Sequence, residues 1–424
     1  MAEIHPFRAI RYNPETAGDM SGLICPPYDV IPPSMQEELY GSSPYNAIRL
    51  ELPMESDPYA AAAERLEEWM RADVLVREDV PALYPYSQTF TDHDGNTHTR
   101  SGFFAAMRLH EFGERKVLPH ERTLSGPKAD RLNLFRKTRM NISSIFGLYA
   151  DAEGVADQLL VGYAAAQEPV ADAMFQGIRN RLWRLDDPEL VAAVRDALAE
   201  KTVYIADGHH RYETGLNYRR ERAEANPEHS GSEPYNFILV YLNNIYDKGL
   251  VVFPIHRLVH GIEGFDPQRL RAKLEKYFDV TELDDRVALK GYLDASVSSY
   301  SYGVVSEEGV LGITLRGEPG ALLDRGTAPA LQKLGLVVLH EAVLTRLLGI
   351  SHEAMALQTN IVYVKEDSAV FDTVLSGKAQ VGFVVKPATV EQVLAVSESG
   401  GVMPQKSTFF YPKIMTGLVF SPLY

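Results

Sequence analysis

A chain of 424 residues is long for a single hydrophobic core, and 45% hydrophobic content with mixed charge is that of an ordinary globular protein. The formal net charge of -15 denies the chain the basic face that broad nucleic-acid or anionic-membrane binding needs, while leaving room for a small anion in a local basic pocket. One cysteine, Cys25, excludes an internal disulfide and a cysteine-rich zinc site. Met1–Pro6 has no signal-peptide pattern and no apolar run is long enough to span a bilayer, so the expected location is cytoplasmic.

In chain order, residues 1–55 are rich in proline and turns, densest from Cys25 to Pro33. They read as extended or loop, because a proline denies helix to the residue before it. Asp29 reads as a turn aspartate, a functional role being the rarer case. Pro58 to Arg71 reads as a helix capped by Ser56 or Asp57, with Leu66, Trp69 and Met70 inward. Tyr84–Phe90 and His98–Arg108 read as a hairpin closed by Asp94-Gly95, with His93 and His98 exposed at the turn. A helix begins near Pro127, capped by Ser125. Its Lys128, Arg131, Arg136, Lys137 and Arg139 fit a solvated face or an anion-holding surface beside Glu121 as general base; composition leaves the two even.

Ser144–Tyr149 reads as a strand, 151–175 as mainly helical, and Leu182–Leu185 as a short strand. Asp187-Pro188 opens a helix with Leu190, Val191, Val194, Ala197 and Leu198 on one face. Further on, strands are expected at 237–242 and 250–254, the latter ending at His256-Arg257, a pair that fits equally a ligand contact or a simply exposed strand end. A helix over 266–278, a hairpin of 300–305 with 310–315, a helix over 331–348 ended by Gly349, strands at 361–364 and 381–385 and a helix over 389–399 complete an α+β second half. His340-Glu341 and His352-Glu353 lack the second histidine of a zinc-protease helix and read as surface or helix pairs. No nucleophile elbow and no dinucleotide fingerprint is present.

The chemistry concentrates at Val203–Thr214. An apolar strand (203–207) meets Gly208 and then a helix (210–225), a junction whose backbone N–H groups converge on one point and suit a phosphate. Asp207, His209, His210 and Arg211 put four ionisable groups in five residues there, more than a surface turn or a satisfied cap needs. Lys406-Ser407-Thr408, after Gly400-Gly401, fits an anion clamp, a final core strand with packed aromatics, or both. No glycine precedes the lysine, so it is not a P-loop.

Asp207-Gly208-His209-His210-Arg211 resembles the Gly-x-x-Arg phosphate loop of the ParB/sulfiredoxin-like superfamily, and within it is similar to the loop of the free-serine kinases. Those enzymes carry an upstream glutamate that activates the serine hydroxyl, which His120-Glu121 resembles. At His120–Thr123, Asp207–Arg211, Met403–Thr408 and Pro412-Lys413 the whole chain resembles domain-of-unknown-function family 1015. Sulfiredoxin's loop cysteine is replaced here by His209 and His210, so that chemistry is not implied.

The resemblance implies a mixed-sheet ParB/sulfiredoxin-like core over 111–228, with an N-terminal α+β segment (1–110) and a C-terminal α+β domain (229–424). It further implies a phosphotransferase acting on free L-serine or O-phosphoserine, with ADP or ATP and Mg²⁺. Gly208, His209, His210, Arg211 and Thr214 would hold nucleotide phosphates, and Asp207 the metal. Glu121, Asp207, His209 and His210 would be catalytic, with His120, Thr123, Lys128, Arg131, Lys406, Ser407 and Thr408 on the substrate. The alternatives are a phosphoserine phosphatase using the same site and a non-catalytic nucleotide-binding switch. The expected partners are an amino acid and a nucleotide, with no nucleic acid and no membrane; oligomeric state is not legible.

Overall fold

A computed structural model describes residues 3–92, 95–121, 125–324, 326–404 and 406–424. The fold is α+β, and the chain divides into two units: Met1–Pro119, Thr123–Val251 and Pro412–Tyr424 in the first, His120–Arg122 and Val252–Tyr411 in the second.

The first unit is built on a mixed sheet. Its strands run in the order Val117–Leu118, Val203–Asp207, Ile145–Tyr149, Phe237–Asn244, Thr97–Arg108, Tyr84–Thr91, Ile178–Leu182 and Ala171–Phe175, with Ile4–His5 also on Thr97–Arg108. The pairing is antiparallel except that Val203–Asp207 runs parallel to Val117–Leu118 and Phe237–Asn244 parallel to Ile145–Tyr149. Val203–Asp207 lies one place in from the sheet edge and is covered on both faces, and Val203 to Ala206 are all buried. One core packs Val203 and Ile205 against Leu160, Val194, Tyr212 and Leu216; another gathers Trp69, Leu66, Ile48 and Phe420. Among the described residues no helix is long and apolar enough to cross a membrane.

Several expected elements hold. The helix Pro58–Arg71 has its expected bounds, and Asp57 caps it by accepting from the Ala60 N–H at 3.0 Å. The 84–108 hairpin forms, although its turn residues His93 and Asp94 lie outside the described residues; His98 pairs with Asp92 at 2.7 Å rather than lying free. Other readings need correction. Pro33–Ser42 is a helix, not loop: Pro33 sits in its first turn, where the missing N–H costs nothing. The helical reading of 151–175 ends at Ala166, and Ala171–Phe175 pairs with Ile178–Leu182. Gln176 (φ 46) and Gly177 (φ 78) both adopt the left-handed region that a two-residue hairpin turn demands, a constraint stronger than the alanine-rich run before it.

The second unit holds a six-stranded antiparallel sheet in the order Phe278–Leu283, Gly309–Leu315, Ser301–Ser306, Val381–Val385, His256–Val259 and Ile361–Val364. The helix expected over 266–278 stops at Leu274 so that Phe278 can enter the sheet. That expected over 331–348 is broken into Pro329–Gln332, Gly335–Val338 and a π-helical segment, Leu339–Leu347. His256 and Arg257 are buried, not exposed, and His340 is buried as well.

Candidate functional site

In the first unit, Val203–Asp207 delivers the chain to Gly208, whose φ of 88° turns it into the helix His209–Glu224. That φ favours glycine, and an added Cβ would stand 3.1 Å from the Arg211 guanidinium. Tyr212 N donates to the Gly208 carbonyl at 2.9 Å, so the first-turn N–H groups precede the helical ladder and face the turn. Arg211 is buried and donates through Nη1 to the Ser144 carbonyl, which fixes the guanidinium beneath the turn.

Asp207 closes the arrangement. Its Oδ1 accepts from the Gly208 N–H at 2.8 Å, its Oδ2 from Lys413 Nζ at 2.9 Å, and Arg211 Nη2 lies 3.8 Å away. Burial pushes the carboxyl pKa up, but the Lys413 and Arg211 cations outweigh it and hold Asp207 well below the usual carboxylate range. The same neighbourhood reaches the proline-rich segment. Burial, opposed by Arg211, leaves the Tyr28 hydroxyl pushed up to about 12. Burial lowers the Arg211 pKa, but Asp207, Asp29, Tyr28 and Glu51 raise it on balance. Asp29, read as a turn aspartate, thus lies in the field of the buried arginine.

Other expected residues of this unit have structural partners. Arg131 is buried, donates to the Glu51 carbonyl at 2.7 Å and stacks over the Tyr28 ring at 4.4 Å. Lys128 pairs with Glu213 at 2.7 Å, and Arg136 with Glu221. Thr214 is fully buried and donates to the His210 carbonyl at 2.7 Å, inside the helix. His209 is buried and His210 half-buried at the helix start. Thr123 lies outside the described residues.

A magnesium ion does not fit the described residues around Asp207. Both Asp207 oxygens are engaged, one by an ammonium that a cation would have to displace. Among the described residues no group of three or more His, Cys, Asp or Glu is placed to hold a metal.

In the second unit, Glu121 lies in a parallel bridge with Met403, and its Oε1 accepts from the Lys406 N–H at 2.9 Å. His120 is buried; its carbonyl accepts from Met403 N at 2.7 Å, and its Nε2 lies 3.1 Å from Thr408 Oγ1. Ser407 donates to the Pro404 carbonyl, and Lys406 is exposed with φ 55°. The histidine–glutamate pair and the Lys-Ser-Thr stretch, far apart in sequence, therefore share one site. Buried Arg257 supports it, donating to the Lys406 carbonyl at 2.9 Å and through Nε to His340 Nε2 at 3.2 Å. Sequence reasoning missed Tyr28 and gave Lys413 no role beyond its place in a matching stretch. Arg257 was raised only as half of a pair that could meet a ligand or lie exposed.

Among solved structures, the chain is similar to a free serine kinase in complex with AMP: 14% identity, TM-score 0.37, over 72% of this chain and 89% of that one. It is similar to a conserved hypothetical protein from Pyrococcus furiosus (15%, TM-score 0.35, 70% and 89%) and to C-terminally truncated SbnI from Staphylococcus aureus (9%, TM-score 0.36, 74% and 86%). All three likenesses are slight in sequence and in superposition. No curated protein matches the chain. The family model described as protein of unknown function (DUF1015) matches residues 4–338, most of the chain, and the protein belongs to that family.

Proposed function

We propose that the protein is a phosphotransferase acting on free L-serine or O-phosphoserine with ADP or ATP, and that the turn Asp207–Arg211 holds the phosphoryl groups. The observation that carries the reading is the buried Arg211 under a left-handed Gly208 at a helix start, with Asp207 held anionic by Lys413. Phosphoryl transfer asks a protein mainly for positioning and charge neutralisation, which N–H groups, a guanidinium and an ammonium supply. The Asp207 carboxylate orients Lys413 and Arg211 without cancelling both cations.

Glu121 is assigned the serine hydroxyl proton. The serine oxygen bonds to phosphorus as the bond from phosphorus to the nucleotide's bridging oxygen breaks, and the shortened nucleotide leaves with that electron pair. Lys406, Ser407 and Thr408 are assigned the substrate's anionic groups. The test is a thermal-shift panel of nucleotides and amino acids. The reading expects shifts with ADP or ATP that Arg211→Met abolishes, and a further shift with L-serine. Release of inorganic phosphate from O-phosphoserine without nucleotide would replace it by the phosphatase; nucleotide binding indifferent to serine would replace it by the switch.

A further inference from the structure

The first unit contains a cavity of about 240 Å³ that plays no part in the reading above. Its floor is the strands Tyr84–Thr91, Thr97–Arg108 and Ile178–Leu182, and its side is the helix Val155–Ala166. In the sheet these strands stand three to five places from Val203–Asp207, on the order of 14–24 Å at the usual strand spacing. The cavity and the Gly208 turn are therefore separate places.

Its wall is largely apolar, with Trp183, Leu160, Val161 and Ala164, and Val161 is half exposed at the helix surface. Of the polar side chains on that wall, two have buried atoms without partners. Ser87 is 6% exposed, and its Oγ is buried with no hydrogen-bond partner among the described residues; the Nε of Arg181 is buried and unpartnered in the same sense. Arg181 also lies over the Trp183 ring at 5.3 Å. Leaving a buried polar group without a hydrogen bond is costly, so two such groups on one largely apolar wall call for a partner. Both are donors. Asp157, the acid on this wall, already accepts from the Tyr149 hydroxyl at 2.8 Å and from Asn244 Nδ2 at 2.5 Å.

We propose that this cavity binds a small apolar carboxylate: one aromatic ring or branched alkyl group against Trp183 and Leu160, its carboxyl oxygens accepting from Ser87 and Arg181. The size agrees, since roughly 150 Å³ suffices for benzene and the remainder accommodates a short acidic tail.

The chain's two tryptophans allow a direct test, because Trp69→Phe leaves Trp183 as sole reporter. Phenylacetate should perturb Trp183 emission saturably, with Kd at or below about 1 mM, and calorimetry on the unmodified protein should agree. Ethylbenzene and phenethylamine, which lack the acceptor, should bind at least about tenfold more weakly, as should phenylacetate to Ser87→Ala or Arg181→Met. Ala164→Phe, which fills the space, should abolish binding, and Arg211→Met should leave it unchanged. Absence of saturable phenylacetate binding to the unmodified protein, or full binding to Ala164→Phe, would overturn the proposal.

Discussion

At the scale of single residues, the Asp207–Lys413 pair is the most exposed to experiment. Asp207 has a folded pKa below its unfolded one, so its contribution to stability is complete above about pH 4. That contribution is lost as pH falls through the lower folded value. Lys413→Met should cost on the order of 2–4 kcal/mol near neutrality and flatten the acid limb of a Tm-against-pH curve; an unchanged limb would contradict the pairing. Gly208→Ala should cost about 1–2 kcal/mol through its positive φ and displace Arg211, read as lost stability together with weakened nucleotide binding. The 207–211 cluster was legible because its chemistry is contiguous in the chain. Lys413 was not, since no local pattern tells a lysine which distant carboxylate it will meet, and Asp29 looked like any turn aspartate.

At the scale of elements, the strand pair His256–Val259 with Val381–Val385 contains an acid-sensitive contact. Val385 N donates to His256 Nδ1 at 3.2 Å, which requires that nitrogen unprotonated. Burial pushes the His256 pKa down to about 4. An imidazole with a lowered folded pKa gives full stability above its unfolded value near 6.5 and loses it as pH falls toward 4. Acidifying from pH 7 to 4 should therefore destabilise the protein by about 3 kcal/mol through this histidine, and His256→Phe should remove that part of the slope in denaturant titrations.

Elements with strong local signals were legible. Pro58–Arg71 has a cap, a proline start and one apolar face. Those decided by tertiary demands were not: His256-Arg257 read equally as a ligand contact or an exposed strand end, and only the fold shows Arg257 spanning to Lys406. The π-helical turn bearing His340 has no sequence signature that the helical periodicity would not mask.

At the scale of the whole molecule, a net charge of -15 predicts no sequence-independent nucleic-acid binding. A gel-shift titration with duplex DNA should show no complex at about micromolar protein and physiological salt; a stable complex would contradict the charge reading. The α+β class of the second half followed from its strand and helix patterns, whereas that of the core came from the family resemblance. Nothing local announced that residues 412–424 belong with the first unit, or that His120–Arg122 belong with the second. Such membership is set by pairings such as Glu121 with Met403, which composition does not encode.

The most direct measurement is phosphorus NMR of the protein incubated with L-serine, Mg²⁺ and ADP or ATP. The account predicts an O-phosphoserine resonance that grows with time, slows by about 10²–10⁴-fold in Glu121→Gln and is absent in Arg211→Met. No O-phosphoserine with either nucleotide, or undiminished turnover in both variants, would contradict it.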